Sequence, residues 1–177
     1  MAIEFSILFQ LQKLHRPVLD ELMVLITFLG DKGWVWIATG LILCCAPKTR
    51  RCGVSVLLSL LGGFLLGNCL LKNLICRGRP CWLYRELPLL IAVPLDYSFP
   101  SGHTLAGFES AVTILFYHRK WGIAALVLAA LIGFSRLYLF VHFPTDVLAG
   151  ALLGTGIAFW ARWLLDGYFN HNFRESR

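Results

Sequence analysis

Three polar clusters interrupt an apolar chain, and their residue types and spacing match one kind of chemistry. Lys72 is followed after six residues by Arg79-Pro80. Next comes Pro100-Ser101-Gly102-His103-Thr104. Then Ser135-Arg136 leads after five residues to His142, and after three more to Asp146. Three fixed cations, two imidazoles and one carboxylate are the parts needed to hold a phosphate and break a phosphoester bond. Ionisable groups near hydrocarbon are expensive and by default functional.

Each cluster has a physical reading. Arginine meets phosphate oxygens with a planar fork of donors and lysine meets them as a point charge, which suits Lys72, Arg79 and Arg136. Ser101 stands where a helix N-cap belongs, and Gly102 lets backbone approach a ligand. The helix start that follows offers free N–H groups to an anion, with His103 in its first turn. His142 and Asp146, four apart, share a helix face. A carboxylate on one ring nitrogen fixes the tautomer and leaves the other free to attack, so His142 reads as a nucleophile. Alone, each cluster also reads as ordinary structure: interfacial cations snorkelling to headgroups, a plain helix cap, a packed polar pair. Glu109, Asp96, Tyr97 and Asn68 lie near the clusters and admit a site role or a structural one. No carboxylate cluster suits magnesium and no cysteine or histidine spacing suits zinc, so no metal is expected.

The elements that must position these groups belong to a membrane protein. The 177 residues are 58% hydrophobic and 15% charged, against roughly a quarter charged in soluble domains. The net charge of +6 has no soluble basic domain to carry it, which argues against nucleic acid. The start lacks the basic and small-residue pattern of a cleaved leader. Ile3, Ile7, Leu8, Leu11 and Leu14 recur at helical spacing, predicting an N-terminal amphipathic helix. Six spans are expected, over 22–29, 34–46, 53–71, 103–117, 121–135 and 147–161. A turn at Gly30-Asp31-Lys32-Gly33 divides the first two, and a proline- and arginine-rich loop covers 73–99. With six spans, Lys48, Arg50, Arg51, Arg119, Lys120, Arg162, Arg174 and Arg177 fall on one side, cytoplasmic by the positive-inside rule. All three clusters then face outward and both termini are cytoplasmic. Gly63-x3-Gly67 and Gly150-x3-Gly154 read as close helix packing. Cys76 and Cys81 bracket the first arginines and admit a disulfide on an oxidising face.

Taken together, the three clusters resemble the tripartite signature of the type-2 phosphatidic acid phosphatases, the integral-membrane lipid phosphate phosphatases. Every fixed position matches between Lys72 and Asp146. The resemblance implies one all-α, polytopic membrane phosphatase domain over 1–177, needing no metal and no other cofactor. It implies His142 as the nucleophile forming a phosphohistidine, Asp146 as its orienting group, and His103 as the acid and then the base. Lys72, Arg79, Ser101, Gly102 and Arg136 would bind phosphate. The expected partner is a membrane lipid phosphate. Small bacterial members make undecaprenyl diphosphate at the outer face of the inner (plasma) membrane the first candidate, with phosphatidylglycerophosphate or phosphatidic acid next. A lipid-phosphate carrier that binds without chemistry is the reading from another class.

Overall fold

The run of apolar residues between prolines, glycines and basic turns folds into helices throughout. The computed structural model describes the backbone of residues 1–175 and side chains through residue 167. Among the described residues there is no strand. Helix α1 is Ala2–Gln12, α2 is Pro17–Gly30, and α3 is Trp34–Cys45. Helix α4, Arg50–Gly63, continues through π-helical turns at Phe64–Leu71 into α5, Lys72–Ile75. A short α6, Pro80–Leu83, opens the long loop. Helices α7 (Gly102–Tyr117), α8 (Arg119–Tyr138) and α9 (Pro144–Glu175) complete the bundle. Pro17, Pro80 and Pro144 each occupy a helix start, where the missing N–H is harmless.

Helix α7 is the centre of the bundle, with one buried face after another turned to α4, α8 and α9. Glycines permit that approach on the α9 side. A Cβ on Gly150 would lie 2.8 Å from the Ser101 carbonyl oxygen, and one on Gly154 2.6 Å from that of Leu105. Trp36, Ala111, Ala129 and Ile132 form one apolar core, and Leu43, Cys52, Val56 and Ile114 another. A third core gathers Leu8, Tyr138, Phe140, Val141 and Phe143 beneath α1.

The path of the chain differs from the sequence expectation at its start. Down the length of α2 and α3, Asp20 bonds Tyr138 and Thr27 bonds Arg136. Gly30 then packs on Ile132, and Trp36 clusters with Ala129. The segment therefore descends alongside α8 in one direction, with a kink at Lys32 and Gly33, both in left-handed backbone (φ 50° and 69°). The runs 22–29 and 34–46 are two halves of one crossing, Pro17–Cys45, because the turn bends the helix without reversing it. Three other segments are long and apolar enough to cross: Arg50–Leu83, Arg119–Tyr138 and Pro144–Gly167. With the buried α7 between them, five helical segments run the length of the bundle among the described residues, four of them long and apolar enough to cross, where six spans are expected. The N-terminus thus lies at the end of the bundle that carries the polar clusters, opposite the end of α9 as far as it is described. Lys48, Arg50, Arg51, Arg119, Lys120 and Arg162 remain together on the face away from the clusters; the side chains of Arg174 and Arg177 lie outside the described residues. All six cysteines are free, so Cys76 and Cys81 are not bonded.

Candidate active site

The three clusters converge at one end of the bundle, the first and third aimed by local departures from regular helix. The π-helical turns re-aim the end of α4 just before Lys72. Cys76, at φ 49°, ends α5 and turns the chain toward Arg79. Phe140, at φ 60° and fully buried, sharpens the link from α8 to α9 so that Val141 and His142 enter the interior. Such left-handed non-glycine residues cost about 1–3 kcal/mol each and persist where packing over-determines them. Here Phe9 and Tyr84 pack on the Phe140 ring.

A cavity of about 270 Å³ is lined by Lys72, Arg79, Gly102, His103, Arg136 and His142, together with Asp31, Asp96 and Thr27. Six of the eight sequence-predicted residues thus share one wall. Arg79 is almost wholly buried. Its Nη1 donates to the Val141 carbonyl at 2.7 Å and lies 3.1 Å from His142 Nε2. A guanidinium has only donors, so Nε2 presents its lone pair and the ring proton sits on Nδ1. That proton faces Asp146. Asp146 Oδ2 is 3.6 Å from Nδ1, too long for a direct hydrogen bond. Ser98 bridges the gap: its hydroxyl donates to Asp146 Oδ2 at 2.5 Å and lies 3.4 Å from Nδ1. His142 is fully buried, and its burial, with Arg79, Arg136 and Lys72 nearby, pushes the imidazole's pKa well below its usual value. Burial and the neighbouring cations thus both favour the uncharged imidazole.

His103 stands across the cavity on the first turn of α7, its Nε2 2.8 Å from Asp31 Oδ1. Arg136 Nη1 donates to Thr27 at 2.5 Å, while its buried Nε has no partner. Asp96 pairs with both Lys72 and Arg79. Burial alone would raise the Asp96 carboxyl, but the Lys72 ammonium and the Arg79 guanidinium outweigh it and hold the pKa at about 2. Asp96 thus sets one negative charge between the two cations and leaves a net positive charge at that wall.

The two remaining predicted residues stand behind the wall. Asp146 is fully buried beneath His142. Ser101 is the N-cap residue of α7 by position, but its hydroxyl makes no capping bond; it accepts from Thr104 at 3.0 Å, and its N–H donates to the Asp146 carbonyl at 3.1 Å. Sequence reasoning did not single out Asp31, Ser98, Arg77 or Glu4. Arg77 donates to Asp146 Oδ1 at 2.6 Å and to both oxygens of Glu4, at 2.9 and 3.1 Å. Asp31 and Ser98 lie in segments with turn composition, and Glu4 pairs with Arg77 across 73 residues; no spacing rule reaches them. Arg77 sits inside the first cluster, and its charge at the membrane was the available signal.

A second, larger cavity of about 1110 Å³ opens from the first, sharing Lys72, Asp96, Gly102 and His103. Ile37, Leu57, Leu60, Leu61, Phe64 and Leu105 make its walls apolar.

Residues 52–169 match the PAP2 superfamily. The undecaprenyl-diphosphatase of Sulfolobus acidocaldarius is 37% identical over 142 residues, covering 80% of this chain and 68% of its own length. Two solved structures share the architecture. The transmembrane PAP2-type phosphatidylglycerolphosphate phosphatase of Bacillus subtilis superposes with a TM-score of 0.77 at 29% identity, over 94% of this chain and 86% of that one. Aquifex aeolicus LpxE gives 0.78 at 28% identity, over 91% and 95%.

Proposed function

This chain belongs to the PAP2 superfamily, and from that premise we propose that it removes the terminal phosphate of undecaprenyl diphosphate at the outer face of the cell membrane. The observation that carries the reading is the small cavity, where groups from three distant segments surround a space suited to one phosphate. The likeness to a protein named undecaprenyl-diphosphatase favours the diphosphate. The likeness to a phosphatidylglycerolphosphate phosphatase makes that lipid, and phosphatidic acid, the second reading. The basic loops on the opposite face support the outward orientation of the site in a multi-pass membrane protein. One phosphatase domain spans 1–177.

In this mechanism Lys72, Arg79, Arg136 and the N–H groups at the start of α7 hold the phosphate oxygens and stabilise the charge that builds in the transition state. His142 Nε2 attacks phosphorus, and the bond to the leaving oxygen breaks as His103 supplies its proton. Asp146, through Ser98, steadies the charge on the His142 ring. His103 then takes a proton from water, the water oxygen bonds to phosphorus, and the P–N bond breaks to free phosphate. The apolar cavity beside the cage has room and walls for the lipid chain. A carrier that only binds would have no use for a buried imidazole whose unprotonated nitrogen, held by Arg79, lines the cage.

The test is phosphate release by purified protein in detergent, comparing undecaprenyl diphosphate with phosphatidylglycerophosphate and phosphatidic acid. His142→Ala should lower release by about 10³-fold or more while lipid binding persists. Equal turnover in that variant would refute the nucleophile assignment.

A further inference from the structure

Asp146 is held from two sides, and only one of them belongs to the signature. Its Oδ2 takes the Ser98 hydroxyl and the Phe143 N–H, at 2.5 and 2.8 Å, and faces His142. Its Oδ1 takes Arg77 at 2.6 Å. Arg77 also donates to Thr145 Oγ1 at 2.7 Å, and its guanidinium lies 4.2 Å over the Phe143 ring. The far side of the same guanidinium grips both Glu4 oxygens. Thr145 donates to Glu4 Oε1 at 2.5 Å, closing the ring of contacts.

Glu4 comes from α1, which precedes the matched region 52–169. The helix is docked for the task. Phe5 meets the Phe143 and Tyr84 rings at 5.2 and 4.9 Å. Phe9 packs on Phe140, and Gln12 donates to the Tyr138 carbonyl at 2.9 Å. Met1, Ile3 and Ile7 are left exposed on its surface. An orienting carboxylate works only if its own position is fixed, and a planar five-donor fork can bridge two carboxylates and a hydroxyl at once.

We propose that Arg77 and Glu4 are positioning residues for the nucleophile: the N-terminal helix clamps Arg77, Arg77 fixes Asp146, and Asp146 with Ser98 sets the His142 ring. This rests on His142 being the nucleophile. None of the cations lining the phosphate cage takes part in the clamp, so losing the clamp should slow attack on phosphorus without weakening phosphate binding.

The experiment uses the full-length protein in detergent, with rapid quenching to separate formation of the phosphoenzyme from its hydrolysis. Arg77→Ala should slow formation by about a hundredfold and Glu4→Ala by about tenfold, the range seen when the groups that orient a reactive side chain are removed. Arg77→Lys should fall between, because an ammonium cannot bridge all three partners. Glu4→Gln should retain most of the rate, since its amide oxygen still accepts from Arg77. Inhibition by inorganic phosphate and the hydrolysis step should stay at wild-type values. Wild-type formation rates in Glu4→Ala and Arg77→Ala would overturn the proposal. So would weaker inhibition by inorganic phosphate together with loss of thermal stability, which marks a merely structural contact. His142→Ala run in parallel keeps the two readings apart: equal phosphate release there refutes the function itself rather than the clamp.

Discussion

The chemistry turns on which group faces which lone pair. Arg79 can only donate, so its approach to His142 Nε2 sets the proton on Nδ1 and leaves Nε2, the nitrogen proposed to attack, unprotonated at the cage wall. Asp96 matters for a related reason. It occupies Lys72 and Arg79, so an arriving phosphate must displace it. Asp96→Asn should therefore tighten inhibition by inorganic phosphate and vanadate in steady-state assays, and unchanged inhibition would contradict that competition. The stability effect has the opposite sign. The Asp96 pKa of about 2 lies below the ordinary 3.8, so its ion pairs stabilise the fold fully above the ordinary value. That contribution fades as pH falls through about 2. The ligand-free variant should melt earlier than wild type near neutral pH, with the difference vanishing in strong acid; an unchanged melting point near neutrality would count against the pairing.

Among the elements, α7 and α9 carry the tightest constraint. Gly154 faces the Leu105 carbonyl oxygen and the Glu109 N–H, where a Cβ would lie 2.6 and 2.9 Å from backbone atoms that cannot rotate away. Gly156, two residues on, has open space around it. Gly154→Leu should lose about 1–3 kcal/mol or more of stability through overpacking, read as a drop in the melting point in detergent. Gly156→Ala should melt like wild type. The two helices hold His103 and Asp146, so activity of Gly154→Leu should fall with the melting point. A full-strength, fully stable Gly154→Leu protein would mean the helices separate more easily than their packing indicates.

For the whole molecule, the kinked first crossing decides which face holds the N-terminus. Descent alongside α8 from Tyr138 to Ala129 puts Lys13 on the face of the site and Asp166 on the other. In a cysteine-free background, single reporters at Lys13→Cys, Arg85→Cys and Asp166→Cys can be challenged with a membrane-impermeant thiol reagent on intact cells. Lys13 and Arg85 positions should label together, and the Asp166 position only after lysis. Protection of Lys13 while Arg85 labels would restore the even number of crossings that hydropathy suggests. The same geometry lets α1 reach Arg77; a cytoplasmic N-terminus would leave the clamp without its outer half.

The sequence by itself determined the membrane class, the helical bundle and the chemistry-bearing clusters, because apolar runs, helix-starting prolines and costly charges are local signals. Lys72, Arg79, Gly102, His103, Arg136 and His142 were legible for that reason, but the shared helix face expected for His142 and Asp146 does not form, because His142 lies in the link before α9 begins at Pro144. Only the tertiary structure decided the rest. Whether Gly30-Asp31-Lys32-Gly33 reverses the chain or merely bends it depends on backbone angles and on what α8 offers beside it. The pairing of Asp31 with His103, of Ser98 and Arg77 with Asp146, and of Glu4 with Arg77 joins residues far apart in the chain. Hydrogen bonds over such separations follow from where packing delivers each helix end, and no periodicity in the sequence encodes them.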